Sequence, residues 1–209
     1  MIIINYSDIL SSENVKNIET FLRSDGVLIY PTDTLYGLGG NFFSHRVIQA
    51  IDAIKGRTDM PYSVMVSDDA MLQSLVAFIP DVFRDIYPKA LPGKFTFLFD
   101  VSPSIDRALV KGSAKIGIRI PDTPNMLQLI RQIDIPLITT SVNRSGYQPL
   151  NNPNEMIRDF SDSVGLLIDQ GALPFSKGST ILDMTQTPIA CVRKGDDFDR
   201  IQHWGVPIV

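Results

Sequence analysis

Two short stretches place hydroxyl, carboxyl and amide groups at the ends of apolar runs. "PTDT" follows Val27–Tyr30 and supplies Thr32, Asp33 and Thr34, while "TTSVNRSG" continues the run that starts at Pro136 and supplies Ser141 and Asn143. Hydroxyls donate and accept, and the glycines after each cluster let a ligand come close to the main chain. Ligands of open α/β sheets gather where strand ends give way to loops. Pro, Asp and Gly also make ordinary turns, and either cluster alone fits that use.

Cations stand near both clusters in sequence. "KGR" brings Lys55 and Arg57 to the end of an amphipathic stretch. Arg119 interrupts the apolar "IGIRIP", and Arg193 ends "ACVR". Lysine offers a mobile point charge and arginine a planar fork for phosphate or carboxylate. Taken singly, Lys55 and Arg57 could complement a helix dipole, and the two arginines could sit at exposed strand positions.

Other chemistry is missing. There is no G-x-x-x-x-G-K-[ST], no G-x-G-x-x-G after a strand, and no G-x-S-x-G. His45 and His203 are far apart, Cys191 lies among apolar residues, and no metal-ligand spacing can be read.

The elements that must carry these groups alternate between strand and helix. Strands are expected at Val27–Tyr30, Tyr62–Val66, Lys94–Asp100, Lys115–Ile120, Pro136–Thr140, Val164–Ile168, Thr180–Asp183 and Ile189–Arg193. Helices are expected over His45–Ile54, with Ser44 as N-cap, after Ser67 and Asp68, over Thr123–Ile133 and over Pro153–Phe160. Interleaving of this kind predicts an α/β fold, and the closely spaced late strands predict a mixed sheet. No linker divides the 209 residues, so one domain, 1–209, is expected. With 44% apolar and 20% charged residues the chain has the composition of a globular protein. A single cysteine excludes an internal disulfide. The N-terminus reads as no signal peptide and no apolar run is long enough to cross a bilayer, so a cytoplasmic protein is expected. The net charge is −4, so contact with a polyanion would need a local concentration of its cations.

Taken in order, "YPTDTLYGLG", "KGR", "PGKFTF", "IGIRIPDTP", "TTSVNRSG", "GSTILD" and "VRKG" resemble the YrdC/Sua5 family of L-threonylcarbamoyladenylate synthases, from about Gly26 to Gly195. The chain ends soon after "VRKG", as in the short single-domain form. The resemblance implies an open, twisted, mixed α/β sheet with flanking helices and a concave basic face. It implies conversion of L-threonine, bicarbonate and ATP to threonylcarbamoyl-AMP and pyrophosphate, for the N6-threonylcarbamoyl modification of adenosine 37 in tRNA. No protein nucleophile is needed for this. The enzyme must hold two anions together and offset their repulsion.

The resemblance also assigns residues. Lys55, Arg57, Ser141 and Asn143 would lie at the reacting carbamate and nucleotide. Thr34, Arg119, Ser141 and Ser179 would hold threonine, with Arg119 on its carboxylate. Thr32, Arg57, Lys115, Asn143, Asn151 and Arg193 would serve ATP. Mg2+ would arrive with ATP, bound through phosphate oxygens and water. A tRNA threonylcarbamoyl transferase complex would take the product, and tRNA or double-stranded RNA would be a possible further contact. Two departures from the family pattern, Met60 and Met65, fall where relatives place polar residues. They leave open a YciO-like paralogue, and an RNA-binding module using the same face is the alternative from another class.

Overall fold

The computed structural model describes residues 1–209. Ten strands form one open sheet. They are β1 (Ile2–Asn5), β2 (Leu28–Tyr30), β3 (Gly37–Gly39), β4 (Ser63–Met65), β5 (Phe95–Asp100), β6 (Lys115–Arg119), β7 (Leu137–Ser141), β8 (Leu166–Asp169), β9 (Thr180–Asp183) and β10 (Ala190–Arg193). Six helices flank it: α1 (Ser12–Arg23), α2 (His45–Lys55), α3 (Asp69–Leu75), α4 (Asp81–Ala90), α5 (Pro124–Ile133) and α6 (Pro153–Phe160). The strand order is β1-β8-β2-β3-β7-β4-β6-β5-β9-β10. Parallel pairs (β1/β8, β2/β8, β4/β6, β5/β9) mix with antiparallel ones, as the spacing predicts.

The register explains how the sheet builds a site. Gly37 pairs with Ser141, Ser63 with both Thr139 and Gly117, Thr96 with Ile181, and Ile181 with Arg193. Paired residues share a face, so these positions and Arg119 lie on one side of the sheet. The positions between them are Ile138, Val64, Ile118, Phe97 and Leu182, all buried in the core. In "KFTFLF" the phenylalanines therefore face the core while Thr96 faces the other side.

Ser44 caps α2 as expected, and of Ser67 and Asp68 it is Asp68 that caps α3. Ser44 Oγ accepts from Val47 N at 3.2 Å, and Asp68 Oδ1 accepts from Met71 N at 3.0 Å. Helix α2 ends at Gly56, whose φ of +66° is the left-handed turn that glycine tolerates best.

Three elements were not legible in the sequence and one stretch differs from expectation. β1, α1 and α4 form where no element is expected. Pro88 lies inside α4, in its last turn. The glycines of "GLGG" are expected to leave the main chain open to a ligand. Instead Gly37–Gly39 is strand β3, paired antiparallel to both β2 and β7. A Cβ on Gly39 would stand 1.8 Å from the carbonyl oxygen of Ile138, and one on Gly37 would meet the Tyr30 ring at 2.8 Å. The small residues make room for that ring, whose hydroxyl donates to Ile138 O at 2.7 Å. Because β3 is antiparallel to both neighbours, β2 and β7 run the same way and end at the same edge.

Candidate active site

A cavity of about 460 Å³ opens on the polar face of the sheet. Its walls are the loop after β2 (Thr34), the end of α2 and the following loop (Lys55, Arg57, Met60, Tyr62), the end of β7 and its loop (Ser141, Asn143), and the segment before β9 (Lys177, Ser179). Thr139, Ser63, Thr96, Arg119 and Arg193 come from the strands. Five of the lining residues are cations and none of the 24 is acidic. In a chain of net charge −4 this is a strong local excess of positive charge, suited to anionic ligands.

Lys55 is buried. Its Nζ donates to Ser141 O at 2.9 Å and to Asn143 Oδ1 at 2.5 Å, so α2 is tied to the loop after β7. Ser141 Oγ donates to the same Asn143 oxygen at 2.7 Å, and Asn143 Nδ2 donates to Tyr147 O at 2.5 Å. Burial lowers the Lys55 amine to a pKa of about 8, and the positive charge of Arg57 pushes the same way.

Arg119 stands on the far side. Its Nη2 donates to Asp33 Oδ1 at 2.9 Å and to Thr34 Oγ1 at 3.1 Å, while its Nε is buried without a partner. Asp33 also accepts from Asp122 N at 3.0 Å. Burial raises the Asp33 carboxyl, and the charge of Arg119 opposes that. Arg193 grips Ser179 through its carbonyl (2.7 and 3.0 Å) and its Oγ (3.0 Å), and Ser179 Oγ meets Thr96 Oγ1 at 2.7 Å. Burial lowers the pKa of Arg193, and the charge of Arg119 adds to this.

Residues 20–195 match the Sua5/YciO/YrdC family, whose description is telomere recombination. This chain belongs to that family. A Methanocaldococcus jannaschii relative, provisionally named threonylcarbamoyl-AMP synthase, is 33% identical over 192 residues, which is 89% of each chain. The threonylcarbamoyl-AMP synthase of Pyrococcus abyssi is 27% identical over 195 residues, 93% of this chain and 57% of its own length. The solved P. abyssi Sua5 in complex with L-threonine superposes with a TM-score of 0.91 at 25% identity, covering 100% of this chain and 63% of that one. Escherichia coli YciO superposes at 0.82 with 26% identity, covering 93% and 95%. This chain thus spans less than two thirds of the length of Sua5 and nearly all of YciO.

Of the residues that the family resemblance singles out, Thr34, Lys55, Arg57, Arg119, Ser141, Asn143, Ser179 and Arg193 line one cavity. Three others do not. Thr32 Oγ1 turns back into its own loop, accepting from Thr34 N and Leu35 N and donating to Leu35 O at 2.6 Å. Lys115 sits at the other end of β6 from Arg119 and is held by Asp183 at 2.6 Å. Asn151 donates to Pro174 O at 3.2 Å and joins two loops outside the cavity. Met65 is buried and does not line the cavity, whereas Met60 does and is 55% exposed. Sequence reasoning missed Lys177, Thr96, Tyr62 and Ser63. For Thr96 a signal existed in the alternation of "KFTFLF". For Lys177, in an aperiodic segment, none did.

No carboxylate lines the cavity, and no group of three His, Cys, Asp or Glu side chains is placed to hold a metal. The donor set does not fit a resident Mg2+, which prefers carboxylate, phosphate and water oxygens.

Proposed function

We propose that this chain is a threonylcarbamoyl-AMP synthase, forming L-threonylcarbamoyladenylate and pyrophosphate from L-threonine, bicarbonate and ATP. The observation that carries the reading is the cavity with five cations and no carboxylate, built partly from hydroxyls at two strand ends. The L-threonine complex of the structurally similar P. abyssi Sua5 supports it. Mg2+ enters as part of the MgATP substrate.

The chemistry needs positioning more than a protein nucleophile. The neutral amine of threonine adds to bicarbonate, a C–N bond forms and water leaves, giving a carbamate. A carbamate oxygen then attacks the α-phosphate of ATP. The bond from that phosphorus to the bridging oxygen breaks, and its electron pair leaves with pyrophosphate. Carbamate and triphosphate repel each other, and the cations of the cavity offset this where the charge develops. Arg119, which lines the cavity and keeps Nε unpartnered, would take the threonine carboxylate. Thr34 and Ser179 stand beside it, and Lys55, Arg57, Asn143 and Arg193 serve the phosphates. The product would feed the N6-threonylcarbamoyl modification of tRNA through a transferase complex.

The test is pyrophosphate release from ATP with L-threonine and bicarbonate added together and singly, with mass spectrometry of the adenylate. Release that needs both supports the synthase. The near full-length match to YciO and the exposed Met60 at the cavity favour a second reading, a paralogue acting on another substrate. ATP binding without threonine-dependent release would select it.

A further inference from the structure

Arg57 enters the cavity without a hydrogen bond from its side chain, yet its surroundings are built. Its Cζ lies 5.4 Å from the centroid of the Tyr62 ring, and Lys111 Nζ lies 4.8 Å from the same centroid. The Tyr62 hydroxyl donates to Asp52 Oδ1 at 2.6 Å. The ammonium of Lys111 is also bonded to that oxygen, and it donates to Thr58 O at 3.0 Å. The carbonyl of Asp52 accepts from Arg57 N at 3.2 Å. Side chains of Lys111 and Asp52 are only 10% and 14% exposed, and neither residue lines the cavity. Lys111 holds a φ of +53°, a conformation uncommon for a residue with a side chain.

Each contact has a consequence for Arg57. A phenol that donates to a carboxylate gains electron density in its ring, and its face then attracts a guanidinium more strongly. A guanidinium resting on a rigid ring loses less freedom when it takes a phosphate. Asp52 is also a hazard. Left bare, its carboxylate would attract Arg57 into an ion pair and away from the cavity. Lys111 satisfies that carboxylate first.

We propose that Asp52, Tyr62 and Lys111 form a support that keeps Arg57 available for the ATP triphosphate, with Lys111 the positioning residue that acts from outside the cavity. The inference rests on the ATP-using reading of the cavity given above. It gives a reason for a buried ion pair that lies outside the cavity.

The test is calorimetric titration of the full chain with MgATP. Lys111→Gln is expected to weaken binding about tenfold, the scale of losing a well-placed cation contact. Adding Asp52→Asn should restore binding to within about threefold of the unsubstituted protein, because no carboxylate then competes for Arg57. In an Arg57→Ala background Lys111→Gln should cost no further affinity. Unchanged binding in Lys111→Gln, failure of Asp52→Asn to restore it, or the same tenfold loss without Arg57 overturns the support. If Lys111→Gln does not fold, as judged by circular dichroism, Tyr62→Leu replaces it. Its loss must likewise vanish in the Arg57→Ala background, and a persistent loss overturns the support. An unsubstituted chain that binds no ATP overturns the nucleotide reading itself, a different outcome from ATP binding that ignores Lys111.

Discussion

The amine of Lys55 lies 2.5 Å from Oδ1 of Asn143, across 88 residues of sequence. One lysine thus joins the end of α2 to the loop after β7, two elements that each bring groups to the cavity. Lys55→Met removes a cation from the cavity and leaves Asn143 Oδ1 with one donor fewer. Turnover should fall by roughly two to three orders of magnitude, the scale of losing one charge-stabilising group in a transition state. Steady-state pyrophosphate release checks this. Near-normal rates in Lys55→Met would remove Lys55 from the chemistry.

The lowered pKa of Lys55, about 8, predicts a pH dependence. Below that value the amine carries its charge, which on the proposed reading attracts ATP. Above it the charge is lost, so ATP affinity should decline as pH rises through about 8, and Lys55→Met should lack this step. Stability should move the other way. The unfolded chain holds the proton up to the ordinary lysine range, so between the folded and unfolded pKa values the unfolded state binds more protons. Stability then gains with rising pH. ATP titrations and urea midpoints across the alkaline range check both signs. An ATP affinity that stays flat through pH 8 would contradict the first.

Much of this site was legible because two signals coincide. Hydroxyl-rich ends of apolar runs predict where strands stop, and the few cations of an acidic chain mark where anions go. Thr34, Ser141, Asn143, Lys55, Arg57, Arg119 and Arg193 carry one signal or the other and line the cavity, whereas Ser179 was singled out by the family resemblance alone. The misses have physical causes. Thr32 and Thr34 are two residues apart in one loop, and only the fold decides which turns inward. Lys115 and Arg119 share a face of β6 but lie at opposite ends, and Asp183 takes the lysine. Strand β3 carries glycines that show no period, since its packing partner is the ring of Tyr30 rather than side chains of its own.

Arg119 donates to Asp33 through Nη2 and leaves Nε buried and unpartnered. Lysine at this position keeps the charge and loses the fork. Arg119→Lys should therefore weaken L-threonine binding by about tenfold or more, since a charge-assisted contact is worth roughly 1.5–3 kcal/mol. Calorimetry with L-threonine in the presence of ATP reads it. Unchanged affinity would place the carboxylate on another group.

Gly39 tests the fold beneath the site. A methyl group there would stand 1.8 Å from Ile138 O, and the backbone of β7 must move to admit it. Gly39→Ala should lower stability by about 1–3 kcal/mol or more, as overpacked cores do. Gly146→Ala, with open space around the position and only a φ of +85° against it, should cost about 1 kcal/mol. Urea unfolding compares them, and a smaller loss at Gly39 than at Gly146 would count against the close packing of β3 on β7.

Lys177 gives the last prediction. Of the five cavity cations, Lys55, Arg119 and Arg193 spend hydrogen bonds on the protein. Arg57 rests on an aromatic ring. Lys177 is fixed only through its backbone, whose N–H donates to Asp196 Oδ1 at 3.0 Å, and its ammonium has no partner. It is exposed to solvent, so salt should screen it, whereas the buried Lys55 should be screened much less. Lys177→Gln should raise KM for ATP about threefold to tenfold at low ionic strength, as for one phosphate contact near a surface. The difference from the unsubstituted protein should shrink as salt is added, while the defect of Lys55→Met persists. Measuring KM for both variants at low and high salt separates the two roles. A Lys177→Gln defect that salt does not reduce would mean that the ammonium acts in a desolvated part of the site. No defect at low salt would show that Lys177 lines the cavity without touching the nucleotide.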